Sequence, residues 1–218
     1  MIHETGQRLV ERHDRGVIRH DSSVYGASAD GIPLTVYLPE DGNAEIVILA
    51  AIHGDETETT VAVSEALRCL PAGDLRAAVI LCGNPDGMLR GTRGNARGVD
   101  LNRNFPTSNW KPDPVFYKSR ANDARDIALS PGAKPASEPE TIALLSLLER
   151  LHPRAVVSLH SALACVDDSG ASRLGRRRVR DKIARYRTVS TTVRGFGSVC
   201  RSPSSTDQAQ IDCHFRPS

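Results

Sequence analysis

Four residues carry the first chemical suggestion in this chain: His53, Gly54, Asp55 and Glu56, which close the run IVILAAIHGDE at 46–56. A histidine and a glutamate three positions apart can close on one cation if the backbone turns between them, and Gly54 permits the turn without a Cβ penalty. The same letters also describe a helix start, with Asp55 and Glu58 as a D-x-x-E pair and Glu56 as a first-turn acid favoured by the helix dipole. The pair alone leaves both readings open. A second histidine, His160, follows another apolar run, Ala155 to Leu159. Taken singly it reads as a strand-end or core histidine. Ligands of an open α/β sheet collect beyond the carboxyl ends of its strands, so His53, Glu56 and His160 could converge there although His53 and His160 lie 107 positions apart. Two histidines and one glutamate with a fourth position open form the ligand set of a hydrolytic zinc site. Zinc held in this way activates water near neutral pH and polarises a carbonyl, which suits hydrolysis of amides or esters.

Such a site needs donors for a substrate, and the tract 83–136 offers Arg90, Arg93, Arg97, Asn102 and Arg103. Guanidinium groups grip a carboxylate through paired hydrogen bonds or stabilise the oxyanion at a scissile carbonyl. Without a metal this stretch is a basic surface loop. It lacks the G-x-x-x-x-G-K-[ST] pattern of a phosphate cradle.

The elements that must position these residues follow from hydrophobic period. Residues 1–24 are polar and predict only a peripheral lead-in. Ile32 to Leu38 alternates as a half-exposed strand, with Pro33 marking an edge. The turn PEDGN leads to a central strand at 45–52. Val63, Ala66, Leu67 and Leu70 set a helix over 57–70, and Ala77 to Cys82 is a second strand running into the turn GNPDG. Strand, helix and strand in about 40 residues make a crossover unit, so the sheet is at least partly parallel and helices cover it. The long tract 83–136 reads as a functional loop in which Val99, Leu101, Phe105 and Trp110 supply packing points. Ser137 and Glu140 form a capping box for a helix whose face is Ile142, Leu145, Leu148 and Leu151, stopped by His152 and Pro153. The fold class expected is α/β: a mixed, mostly parallel twisted sheet with helices on both faces.

HGDE at 53–56, GVDLNRNFP at 98–106, SEPE at 137–140 and VVSLHS at 156–161 together resemble the zinc carboxypeptidases of the carboxypeptidase A type. The resemblance covers roughly residues 25–170. It implies a cofactor of one zinc ion held by His53, Glu56 and His160. It also implies that Asp100 orients a zinc-bound histidine, that Arg93 polarises the scissile carbonyl with Arg90 as the second candidate, and that Asn102 and Arg103 hold a terminal carboxylate. The partner implied is a small peptide with a free carboxylate, and the nearest branch of the family cuts cell-wall peptides. A zinc deacylase of the aspartoacylase or succinylglutamate desuccinylase type shares HGxE and DLNR. A zinc- and peptide-binding module without catalysis is the reading from another class.

The resemblance departs at the C-terminal end. The family's general base is a glutamate on a late strand, in a segment resembling TAEFPP, whereas the last glutamate here is Glu149. Asp212 and His214 lie near the expected position. Residues 171–218 carry 11 basic and 3 acidic side chains, net +8, against 17 and 23, net −6, for 1–170. The division expected is therefore a catalytic domain at 1–170 and a divergent, truncated or frame-shifted basic segment at 171–218. Electrostatic binding of that segment to an anionic polymer is the rival use, but no aromatic interleaving accompanies the charge, so no nucleic acid partner is expected. Five cysteines without C-x-x-C spacing disfavour a disulfide framework, and no apolar stretch of membrane-spanning or signal-peptide length is present. The protein is expected to be soluble and cytoplasmic, to retain zinc, and to turn over slowly or not at all for want of its base.

Overall fold

The computed structural model describes residues 9–118, 126–161, 166–168 and 187–193. Its centre is β3 (Ile46–Leu49), which pairs in parallel with β4 (Ala78–Ile80) on one side and β7 (Ala155–Ser161) on the other. Alternation along β3 decides the layers. Val47 and Leu49 face a cluster completed by Leu144, Leu147 and Leu148 of α3 (Pro139–Leu151). Ile48 and Ala50 face the opposite cluster, with Val63 and Leu67 of α1 (Thr57–Cys69). A strand covered on both faces must be apolar at every position, which is why IVILAA shows no polar alternation.

The sheet runs β1-β2-β4-β3-β7-β9-β8, with β1 (Ser22–Ala27), β2 (Pro33–Tyr37), β8 (Val166–Asp168) and β9 (Arg187–Val193). The four inner strands β4-β3-β7-β9 are parallel, while β1, β2 and β8 join antiparallel. This is the mixed α/β sheet expected, with two differences. The lead-in supplies an edge strand, and Pro33 therefore sits on the second strand rather than the edge. Proline is tolerated there because it opens β2.

The tract 83–136 is more ordered than its composition suggests. It contains α2 (Pro85–Arg90), a 3-10 turn at Leu101–Arg103, and a separate hairpin of β5 (Val115–Lys118) and β6 (Asp126–Leu129). Asn84 caps α2 by accepting from Gly87 N, Pro85 occupies the first turn, and Gly91 ends it at φ 63°. Val99, Leu101 and Phe105 are buried as expected, and Trp110 Nε1 donates to Pro131 O at 3.5 Å.

Asn104 is the pin of this tract. Fully buried, it donates from Nδ2 to Pro131 O at 2.8 Å and Ser137 Oγ at 3.0 Å, and accepts the Glu138 N–H at 3.1 Å. The expected Ser137–Glu140 capping box is absent. Glu138 is the N-cap residue of α3 and makes no side-chain cap bond. Instead Asn95 Nδ2 donates to Glu138 at 2.8 Å and Glu140 at 3.1 Å, tying the arginine tract to the start of α3. The buried face of α3 is also rotated from the expectation: Ile142 is exposed, and Leu144 and Leu147 are inside. Among the described residues no helix is long and apolar enough to cross a membrane.

Candidate metal centre

At the end of β3 the chain leaves the sheet through Ala51, a non-glycine residue in the left-handed region at φ 47°. Thr59 holds this exit closed, accepting the Ala51 N–H at 3.0 Å and donating to Glu56 O at 2.7 Å. Gly54 is needed for close approach: a Cβ there would lie 2.1 Å from Gly87 C and 2.5 Å from Thr92 O. Because both obstacles are backbone, Gly54→Ala is expected to cost about 1–3 kcal/mol. A lowered urea midpoint for the metal-free protein checks this. Glu56 occupies the N-cap of α1 without a side-chain cap bond, so the D-x-x-E reading fails and its carboxylate is spent elsewhere.

That carboxylate faces both histidines. His53 Nδ1 lies 2.9 Å from Glu56 Oε1, His160 Nδ1 lies 3.0 Å from Oε2, and the two Nδ1 atoms are 3.1 Å apart. One donor atom from each residue lies within 4.8 Å of the other two, and this is the group among the described residues that could hold a metal ion. His160 sits inside β7 rather than beyond it, two positions past Ser158, the register partner of Leu49. Parallel pairing thus carries both histidines to one rim.

Each imidazole is held from behind. His53 Nε2 contacts Asp100 Oδ1 at 3.2 Å, and His160 Nε2 contacts Ser158 Oγ at 3.1 Å. Burial pushes the Asp100 carboxyl up, but the His53 hydrogen bond and charge hold it well below the usual carboxylate range. An ionised Asp100 only accepts, so His53 Nε2 carries the proton and Nδ1 presents its lone pair to the cluster. Burial likewise raises Glu56, and the hydrogen bonds from His160 and His53 outweigh it, leaving this group low as well. Burial lowers His53, but the bonds from Asp100 and Glu56 win and lift it above the ordinary histidine value. Lone pairs crowded at 2.9–3.1 Å require a cation between them, either a proton or a metal ion. The donor set fits zinc. Asp100→Asn is expected to weaken zinc affinity by about 10- to 100-fold while leaving saturation at one ion reachable, as titration against a chelator would read.

Arg93 joins the same cluster. Its Nη1 donates to Glu56 Oε1 at 3.0 Å, its Nε lies 3.5 Å from Asp100 Oδ2, and its guanidinium sits 5.3 Å from the centre of the Tyr117 ring. Arg90 turns away to pair with Asp30, and Arg97 lies 3.5 Å from Glu138, so of these three it is Arg93 that reaches the carboxylates of the cluster. Asn102 and Arg103 form the 3-10 turn capped by Asp100, which accepts the Asn102 N–H at 3.0 Å. Burial lowers the Arg103 pKa, and the Asp100 charge partly restores it. Asn102 thus meets Asp100 through its main chain, and Arg103 feels its charge.

Sequence reasoning missed Ser158, Ser161 and Tyr117. Ser158 shares a strand face with His160 at i, i+2, a signal that was available. The Ser161 N–H donates to Glu56 Oε2 at 3.2 Å, a backbone role no residue type reveals. Asp212 and His214, near the place expected for a general base, lie outside the described residues, as does most of the basic segment 171–218.

The zinc carboxypeptidase family profile matches residues 18–167. Murein peptide amidase A of Escherichia coli (strain K12) is 46% identical over 166 residues, 75% of this chain and 69% of that protein. The protein of the same name from Vibrio campbellii is 44% identical over 171 residues, 77% of this chain and 68% of its own length. The crystal structure of murein-tripeptide amidase from Escherichia coli O157 superposes with a TM-score of 0.76 at 34% identity, covering 88% of this chain and 90% of that one.

Proposed function

Because this chain belongs to the zinc carboxypeptidase family, we propose that it is a murein peptide amidase-like hydrolase in which His53, Glu56 and His160 hold one zinc ion. The bond cut in this reading joins D-glutamate, through its γ-carboxyl, to diaminopimelate. The observation that carries the proposal is the meeting of two Nδ1 atoms and one carboxylate at 2.9–3.1 Å, each imidazole backed by a second partner.

When bound, zinc supplies a polarised carbonyl and an activated water. The chain's own residues do the rest. Asp100 fixes the His53 tautomer, and Ser158 braces His160. Arg93, a permanent cation beside the cluster, stabilises negative charge developing on the carbonyl oxygen. Asn102 and Arg103, set on the turn that Asp100 caps, receive the substrate's free carboxylate. The free thiols of Cys69 and Cys82 among the described residues are consistent with work in a reducing cytoplasm, on peptides released from the cell wall.

Glu149 lies exposed on α3, so it is not placed to serve as the base; a chain in which no other group takes that part would turn over about 10²- to 10⁴-fold more slowly than one with a well-placed base. The test is elemental analysis paired with chromatography of L-Ala-γ-D-Glu-diaminopimelate. One zinc per chain with chelator-sensitive release of diaminopimelate supports the reading. Release from acylated amino acids instead would transfer the chain to the deacylases, and peptide binding without release would make it a silent module.

A further inference from the structure

We propose that Tyr117 is a positioning residue for Arg93, its ring holding the guanidinium against the metal-site carboxylates. The inference rests on the role given above to Arg93 and extends it to a residue on a separate element.

Hydrogen bonding alone does not lock the Arg93 guanidinium. Nη1 makes a well-formed bond to Glu56 Oε1 at 3.0 Å, but Nε is buried without a hydrogen bond, 3.5 Å from Asp100 Oδ2. The one good anchor is also a candidate metal ligand, so an ion on Glu56 draws on the same oxygen. The second restraint is the face of Tyr117, 5.3 Å from the guanidinium carbon, a distance at which the ring quadrupole attracts a cation.

The ring's position is set by the same backbone that sets Asp100. Asp100 N–H donates to Ser130 O at 2.9 Å, and Ser130 N–H donates to Gly98 O at 3.2 Å, so the foot of β6 is bonded to the tract bearing Asp100. β6 pairs with β5 with Tyr117 opposite Ile127. Successive residues of a strand point to opposite faces, and neighbouring Phe116 is accordingly 66% exposed while Tyr117 is half-buried against Arg93. Phe116 thus provides a control on the same strand that does not touch the site.

The experiment compares Tyr117→Ala, Tyr117→Phe and Phe116→Ala in the full chain. Phenylglyoxal labelling followed by peptide mapping reads the accessibility of Arg93 without requiring turnover. Labelling of Arg93 should accelerate several-fold in Tyr117→Ala and stay at the parent rate in the other two. An unchanged rate in Tyr117→Ala, or equal acceleration in Phe116→Ala, overturns the proposal. In the zinc-loaded protein, Tyr117→Ala should lower kcat for the murein tripeptide by about 3- to 30-fold with KM little changed, and Tyr117→Phe should restore it. Tyr117→Ala should add nothing to Arg93→Ala, and full additivity of the two losses overturns the proposal. Should the parent protein cleave nothing, the hydrolase reading falls and the labelling result alone decides whether the ring holds Arg93.

Discussion

Replacing His160 by alanine is expected to weaken zinc binding by about 10²- to 10³-fold and to take hydrolysis below detection. Zinc bound by a four-ligand protein site is worth about 10–16 kcal/mol, so each ligand carries roughly 2.5–4 kcal/mol. The loss falls on binding rather than folding, because His160 is near the rim and its removal leaves the β3–β7 ladder intact. Competition with a chromophoric chelator measures it, and near-parental zinc affinity in His160→Ala would remove the metal assignment. A pH effect accompanies this. His53 is held above its ordinary value, so protons compete for the cluster and zinc affinity should fall as pH drops through the histidine range. The metal-free fold responds in acid. Glu56 is held below its ordinary value, so the stability it contributes is complete at neutral pH and lost as pH falls through and below the normal carboxylate range. His160→Ala removes the first of the hydrogen bonds that lower Glu56 and should flatten this loss, a difference visible in urea midpoints taken between neutral and acidic pH.

Arg93→Ala should lower kcat by about 10²- to 10³-fold while zinc stoichiometry stays at that of the parent. A group that stabilises charge present only in the transition state leaves ground-state binding nearly untouched, so KM should move little. Arg90→Ala is the matched control, since that guanidinium pairs with Asp30 on the surface. Equal losses in both variants, or a loss in Arg93→Ala confined to KM, would reassign Arg93 from the reacting carbonyl to the distal carboxylate. Single-turnover measurements on the zinc-loaded protein separate the two outcomes even against a slow baseline.

The parts of this molecule that were legible in the sequence are those encoded locally. The strand carrying Val47 and Leu49 and the helix carrying Val63 and Leu67 announce themselves by period, and the histidines by their place at strand ends. What escaped depends on pairing across long separations or on ambiguous phase. The strand SSVYGA at Ser22–Ala27 has too few apolar residues to be read alone, with Val24 exposed, and exists because β2 offers an edge. The hairpin is four residues a side and stabilises only when its foot is bonded to Gly98 and Asp100. In α3, leucine at 144, 145, 147, 148 and 151 fits more than one face, and the sheet rather than the pattern chooses among them. Gly54 was legible as a turn residue that must lack a Cβ, but the atoms a Cβ would meet, on Gly87 and Thr92, lie far along the chain. The SEPE segment was noticed as a cap and serves instead as an anchor for Asn95.

The Asn104 pin has an evolutionary corollary. The tract displaying Arg93, Asp100, Asn102 and Arg103 is fastened at its far end by a neutral amide that bonds to main-chain carbonyls, a hydroxyl and a main-chain N–H. A mounting of that kind does not depend on the charges it presents. Lineages can therefore trade one displayed side chain for another and still inherit the same mounting on which a new chemistry can be tried.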